Sequence, residues 1–310
     1  MKSLIAFIFT VCVIFTLFLT LPYNTKDTYI YINQGETLLK ISEELKNQKL
    51  IISKDLFILL FLLLNETPKA GYYKIEKNSN LINIFSKISK GKQDLIKVII
   101  IPGDDLFSIS KKLETYGIIK KENFLNFFNN KFKLLSIGFP YDNFEGFIIP
   151  DTYFLEKNTS PKRLFHIFYN KFIRTYKKAD KEFYEKMIIA SIIEKEAKTT
   201  KDKYLISSVI HNRLNKKLPL QIDATLLYMA KKLNIKEKQI KELKLIQSPY
   251  NTYKKQGLPP TPICSFSKES LNASFNPEKT DYLFYFTKDG KTHIFSKDYK
   301  QHLKKLKSKW

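Results

Sequence analysis

The sequence predicts an α+β protein with three parts: an apolar N-terminal helix, a front region built on a repeated strand–turn–helix–helix unit, and a mixed α+β C-terminal domain. Three observations carry that expectation. Residues 3–21 are uncharged and mostly Ile, Phe, Leu and Val. A β-branched run, a glycine and a helical apolar stripe occur twice at constant spacing. Past residue 140, long helical periodicities are followed by one hairpin signal near the C-terminus. A chain of 310 residues, 44% of them hydrophobic, has the length for two domains and the apolar content for sizeable cores.

Taken in order, residues 1–22 are long enough to cross a bilayer as a helix. Leu19-Thr20-Leu21-Pro22 offers no small-x-small cleavage site, and the region holds no lipobox cysteine, so a retained transmembrane anchor is expected rather than a removed signal peptide. Tyr29-Ile30-Tyr31-Ile32 then reads as a strand, Gly35 as a turn, and Leu38, Ile41 and Leu45 as one helical face. Val98 to Ile101, Gly103 and the face Leu106, Ile109 and Leu113 repeat this at a fixed offset. Ile51-Ile52 and Phe57 match Ile118-Ile119 and Phe124 at an offset one residue shorter. The two units cover about 29–64 and 97–130, inside a front region set at 23–139. Between them, Ala70 to Ile75 reads as a strand, and Leu81, Ile84, Phe85 and Ile88 as a helical stripe ending at Gly91. The C-terminal domain, 140–310, opens with Glu145 to Tyr153 as a turn and extended loop. Helices are expected from Pro161 to about Thr175, from near Lys181 through Glu194, from about Lys203 to Leu214, and from Asp223 or Ala224. Tyr282–Phe286 and Thr292–Phe295 flank Asp289-Gly290 as a hairpin, and a basic helix closes the chain from Lys297.

The formal charge of +23, from 53 basic and 30 acidic residues, suits attraction to anionic envelope polymers or headgroups. The lysines are spread along the chain among Glu and Asp, with no nucleic-acid-binding signature, so nucleic acid is not expected as a partner. Cys12 and Cys264 are not expected to pair. His166, His211, His293 and His302 lack metal-ligand spacing, and no cofactor is called for.

The chemistry points to an acid. Ile188, Ile189, Ile192 and Ile193 make a continuous apolar face, widened by Ala190 and Ala197, so the helix carrying Glu194 and Glu196 is expected to be mostly buried. Burial raises a carboxyl pKa and prepares it to donate a proton near neutral pH. Pairing with Lys195, Lys198 or Arg213 is the plain structural alternative, and spacing does not choose between the two acids. Asp223 reads as an N-cap or as a ligand for a sugar hydroxyl. Asn212, Gln221, Asn251 and the tyrosines 153, 228, 250 and 253 suit carbohydrate, because amides bond hydroxyl pairs and aromatic faces pack on sugar rings. His293 is a further candidate contact. Serine-hydrolase, P-loop and dinucleotide-binding patterns are missing from the sequence.

Two resemblances emerge. The repeated unit resembles the LysM-like module, in which a Gly-x-x-Leu turn opens the first helix; such modules bind N-acetylglucosamine polymers, and a plain packing role is the alternative. Nearly the whole chain, most firmly from residue 145, resembles the endolytic murein transglycosylases of the MltG (YceG-like) type. The motifs are Glu145-Gly146 with Pro150-Asp151-Thr152-Tyr153, the Ala190–Glu196 helix, Asn212-Arg213-Leu214, Leu220-Gln221-x-Asp223-x-Thr225-x-x-Tyr228, Ser248-Pro249-Tyr250-Asn251-Thr252-Tyr253, Gly257-Leu258-Pro259-Pro260 and His293-x-Phe295. Thr261 stands where the family commonly has Gly, and Ile222 where a small or polar residue is usual.

That resemblance implies cleavage of the MurNAc–GlcNAc β-1,4 bond within nascent peptidoglycan, leaving 1,6-anhydro-MurNAc ends and limiting strand length. It implies a single-pass protein of the bacterial cytoplasmic (inner) membrane with its catalytic domain on the outer face. Glycan strands and that membrane would be its partners, with peptidoglycan synthases as candidates. It maps the catalytic acid onto Glu194 and adds Glu145, Thr225, Ser248 and Thr252 to the substrate contacts. A glycoside hydrolase using Asp223 or Glu145 to activate water, and a non-catalytic glycan-binding scaffold, remain the competing readings.

Overall fold

The computed structural model describes residues 2–33, 35–92, 94–177, 180–235, 239–287, 290 and 292–308. The chain divides into two units, Met1–Ile96 and Lys97–Trp310.

The first unit begins with helix α1 (Lys2–Thr20), whose side chains are only partly among the described residues. The segment expected as an anchor, 1–22, forms this helix from Lys2 to Thr20; among the described residues no helix is long and apolar enough to cross a membrane. Strand β1 (Thr28–Ile32), helices α2 (Leu38–Asn47) and α3 (Lys54–Leu63) and strand β2 (Gly71–Ile75) come next, then α4 (Leu81–Ser89). Local chemistry sets the helix starts: Thr37, Ser53 and Asn80 each accept an amide of the first turn. β1 and β2 pair antiparallel, Thr28 opposite Ile75 and Ile32 opposite Gly71. Ile30 and Ile32 alternate inward to meet Ile41, Leu45, Phe57, Phe61, Ile84 and Ile88, which form the core of this unit.

The second unit opens with β3 (Ile96–Ile100), α5 (Leu106–Thr115), α6 (Lys121–Phe128) and α7 (Lys131–Leu135), and then β4 (Asp151–Leu155), which pairs with β3. Strand, helix, helix and strand thus succeed one another in the same order as in the first unit. Two sequence expectations need correction. Residues 151–155 form a strand rather than a loop, because β3 offers them a partner. The boundary lies at 96/97 rather than at 139/140. The β3–β4 pairing and the bonds from Asn158 N to Gly117 O (3.1 Å) and Thr159 N to Ile118 O (2.8 Å) tie the 97–130 segment to residues 151–159.

Helices α8 (Pro161–Tyr176), α9 (Lys181–Glu196), α10 (Thr200–Asn215), α11 (Asp223–Lys232) and α12 (Ile240–Leu243) come next, then α13 (Lys268–Phe275), hairpin β5 (Phe284–Thr287) and β6 (His293–Ser296), and α14 (Tyr299–Lys307). Sequence reading missed α7, α12 and α13, all eight residues or shorter. β5 and β6 pair antiparallel, Phe284 opposite Ser296; Asp289 of the expected turn lies outside the described residues. An aromatic cluster of Phe139, Phe144, Phe147, Phe165 and Phe172 fills the space beside α8. α9 lies in the middle of this unit, packed on α10, α11 and α13. The Glu145-Gly146 motif has a backbone reason: Gly146 has φ +83°, and a Cβ there would come within 2.7 Å of Pro262.

Candidate active site

Helix α9 starts at Asp180, which accepts the Phe183 amide, and buries Met187 to Ile193. It ends just past Glu196, where Ala197 turns to extended backbone. Its last turn carries two carboxylates, and they face different surroundings.

Glu194 meets the start of α13. Its Oε2 accepts hydrogen bonds from the Ser267 amide (2.9 Å) and from the hydroxyls of Ser267 (2.6 Å) and Ser270 (2.6 Å), with Lys203 Nζ 3.5 Å away. Ser267 is also the N-cap of α13. A carboxylate at a helix N-terminus meets unpaired amides and the positive end of the helix dipole. Burial works to raise the Glu194 pKa, but the bonds from Ser267 and Ser270 and the charge of Lys203 outweigh it. The carboxyl is held below the usual range. The surroundings of Glu194 differ from those expected of a raised, proton-bearing acid: apolar neighbours on its own helix do not set its environment, because three donors arrive from a distant helix.

Glu196 has the environment expected of the acid. Burial pushes its carboxyl up, and the nearby Asp223 carboxylate adds to this. The Tyr285 hydroxyl, 3.2 Å from Oε2, the Ala224 amide and His293 oppose the rise without cancelling it. The C-terminal end of α9 is also an unfavourable place for negative charge.

Glu196 borders two surface depressions. One, of about 370 Å³, is lined by Arg213, Gln221, Asp223, Tyr253, Tyr285 and His293. The other, of about 480 Å³, is lined by Asp105, Lys195, Asp223, Leu227, Tyr228 and Lys231. Glu196 and Asp223 belong to both. The walls are braced. Arg213 donates to Gln221 Oε1 (2.7 Å) and to Leu283 O (3.2 Å), and its guanidinium lies 5.2 Å from the centre of the Phe284 ring. Tyr253 donates to Asp223 Oδ1 (2.7 Å). Gln221 has φ +55°, a strained value for a side-chain-bearing residue, and its amide donates to Thr252 O (3.0 Å). Asp223 is not the cap of α11; Ile222 takes that position, and the Asp223 side chain is exposed and turned to Tyr253.

Of the residues expected to contact substrate, Gln221, Asp223, Tyr253, His293 and Tyr228 line the two depressions. Tyr228 is nonetheless 3% exposed, and its hydroxyl donates to Glu145 (3.0 Å). The others are placed as framework, a correction with a common cause: their polar groups are consumed within the fold, mostly by backbone. Asn251 is buried and its amide donates to the carbonyls of Lys244 (3.0 Å) and Ile246 (2.7 Å). Thr252 and Thr225 are buried against each other, 2.9 Å between hydroxyls. Asn212 donates to Thr280 O (2.7 Å) and Tyr282 O (3.0 Å), holding the approach to β5. Ser248 accepts the Tyr250 amide (3.3 Å), and Tyr250 pairs with Thr261 (2.9 Å). Tyr153 is buried and donates to Ile149 O (2.9 Å).

Glu145 is the sharpest correction. It is fully buried, and its Oε2 accepts from the Leu106 amide and the Tyr228 hydroxyl, both at 3.0 Å. Burial, with the Asp105 charge adding, pushes its pKa up to about 8. It can contact neither glycan nor an attacking water. Sequence reasoning left Arg213 and Tyr285 out of the site; the period-2 pattern of 282–286 places Tyr285 on one face of β5 but not beside α9. Among the described residues, no group of three or more His, Cys, Asp or Glu could hold a metal ion.

The YceG-like family profile matches residues 30–308. The chain is 40% identical over 168 residues to an endolytic murein transglycosylase of Bacillus subtilis (strain 168), a match covering 52% of this chain and 46% of that protein. It is 33% identical over 151 residues to the protein of that name from Streptococcus pneumoniae serotype 2 (strain D39 / NCTC 7466), covering 46% of this chain and 27% of the relative. The matches thus span less than half of those curated relatives. A crystal structure of a yceG-like protein from Listeria monocytogenes superposes with a TM-score of 0.58 at 28% identity, covering 90% of this chain and 98% of that one.

Proposed function

Since the chain belongs to the YceG-like family, we propose that it is an endolytic lytic transglycosylase of peptidoglycan, with Glu196 rather than Glu194 as its acid. The observation that carries this is the position of Glu196: a carboxyl with a raised pKa at the junction of two depressions. An enzyme that cuts inside a polymer must bind chain on both sides of the scissile bond, and a proton donor shared by two adjoining depressions meets that need.

In this reading, protonated Glu196 donates to the oxygen of the MurNAc–GlcNAc bond. As the C1–O bond to the leaving sugar breaks, the MurNAc 6-hydroxyl oxygen bonds to C1 and its proton passes to the Glu196 carboxylate, so one acid is used twice and a 1,6-anhydro end forms without water. Tyr285 and the Ala224 amide steady the carboxylate as it forms. Asp223, Gln221 and Tyr253 offer an acceptor, an amide and an aromatic face to sugar. The apolar α1 would hold the protein in the bacterial cytoplasmic membrane with the cleft on the outer side: 19 residues at about 1.5 Å rise per residue approach the thickness of a bilayer core. The strand–helix–helix–strand units would act as LysM-like glycan contacts, and synthases would be neighbours at the site of strand growth.

The test is digestion of uncrosslinked glycan strands by the full chain in detergent, with products read by mass spectrometry. Internal cuts ending in 1,6-anhydro-MurNAc, lost in Glu196→Gln, are expected. Products heavier by one water would instead favour a hydrolase, with Asp223, which borders both depressions, as the base. Binding without cleavage would move the protein to the scaffold class.

A further inference from the structure

A second pair of ionisable groups lies at the cleft: His293 in its wall and the buried Asp202 behind it. His293 of β6 lines the 370 Å³ depression, and its Nδ1 lies 3.1 Å from Asp202 Oδ2, both side chains less than a tenth exposed. Asp202 is itself fixed: it forms a capping box with Thr199 at the start of α10, the Thr199 amide donating to the same carboxylate oxygen at 3.2 Å. The His293 ring stands edge-on to Tyr285, centroids 5.6 Å apart, and Tyr285 donates to Glu196. His293, Tyr285 and Glu196 therefore succeed one another along the cleft, with the buried Asp202 behind His293. A carboxylate at Nδ1 keeps the proton on that nitrogen and leaves Nε2 as a base.

We propose that His293, oriented by Asp202, is the base that takes the proton of the attacking hydroxyl while Glu196 protonates the leaving oxygen. The inference rests on the transglycosylase reading and deepens it, replacing one acid used twice by a divided pair. The step balances. The O–H bond of the MurNAc 6-hydroxyl gives its proton to His293 Nε2, and its oxygen forms the new bond to C1. The C1–O bond to the leaving sugar breaks, and that oxygen takes the Glu196 proton. Histidine ends as imidazolium and glutamate as carboxylate, and solvent returns the proton from one to the other.

Arg213 faces the cleft from α10, Glu196 from the end of α9, Asp223 from α11, Tyr253 from the loop before residue 254, Tyr285 from β5 and His302 from α14, while Asp202 meets His293 from the buried start of α10. Asp202 stabilises the imidazolium as it forms. The divided pair predicts that loss of either His293 or Glu196 slows cleavage, and that an added small-molecule base restores only the loss of His293.

The experiment measures formation of 1,6-anhydro ends by the full chain. His293→Gln is expected to slow the reaction about 100-fold. His293→Ala is expected to regain part of its rate with added imidazole, and Asp202→Asn to slow the reaction while keeping the hairpin folded by circular dichroism. A loss below about threefold in both His293 variants, or a loss that imidazole does not rescue in His293→Ala, would overturn the proposal in favour of a structural role. Wild-type products lacking anhydro ends would sink the transglycosylase reading itself, a result distinct from anhydro ends formed indifferently to His293.

Discussion

Glu194 and Glu196 share one helical turn of α9, yet they stand in two regions with opposite physics. The Glu194 region is a closed capping site, where three donors from the start of α13 and a lysine charge hold the carboxyl ionised. The Glu196 region is a cleft, where burial and the Asp223 charge hold the carboxyl toward its neutral form. The difference teaches that burial alone does not make an acid. What matters is whether the buried carboxyl is given enough hydrogen-bond donors to stabilise its charge. Glu194 receives them and its pKa is lowered; Glu196 receives fewer and its pKa is raised.

The harshest test of that contrast exchanges the two acids for amides. Glu196→Gln should reduce cleavage by about 10³-fold or more while leaving the thermal midpoint nearly unchanged. Glu194→Gln should retain most of the cleavage in whatever fraction stays folded. The reverse pattern in a product assay paired with thermal unfolding would invert the assignment.

The pH dependence sharpens the same comparison. Glu196 acts as a proton donor, so cleavage should decline as pH rises through its raised pKa, and the decline should be missing from the residual activity of Glu196→Gln. Glu194 affects stability with the opposite sign. Its folded-state pKa is depressed, so its contribution is present above the unfolded-state pKa and is lost as pH falls through the folded value. Glu194→Ala should cost about 1–3 kcal/mol at neutral pH, read from denaturant midpoints, and less in acid. A cost that grows in acid would rule out the capping role.

Glu145 offers a smaller check from outside both regions. Its pKa rises to about 8 in the folded state, so the stability it contributes as a neutral group is complete below the unfolded-state value and is lost as pH climbs toward 8. Glu145→Gln keeps an acceptor for Leu106 and Tyr228 without the charge, and should flatten that part of the stability curve. An unchanged urea midpoint profile between about pH 5 and 8 would show that Glu145 finds a counter-charge.

Much of the architecture was legible because it is written locally. Thr37, Ser53, Ser160 and Asp180 sit just before apolar stripes, and each caps the helix it announces. The hairpin at 284–296 was readable from alternation. The site was only half legible. Asn251, Thr252, Thr225 and Asn212 resemble ligand contacts because they are polar residues in motifs, but such residues serve equally to satisfy buried backbone, and sequence spacing cannot tell these uses apart.

What the sequence alone determined was the apolar N-terminal segment, the repeated strand–helix–helix order, the helix carrying two acids, and the motifs that mark the family. These depend on periodicity and neighbouring residues. Only the tertiary structure decided how differently the two acids are surrounded. Ser267 reaches Glu194 and Tyr285 reaches Glu196 from far along the chain, and a carboxyl's proton affinity depends on donors and charges within a few ångströms in space, whatever their separation in sequence.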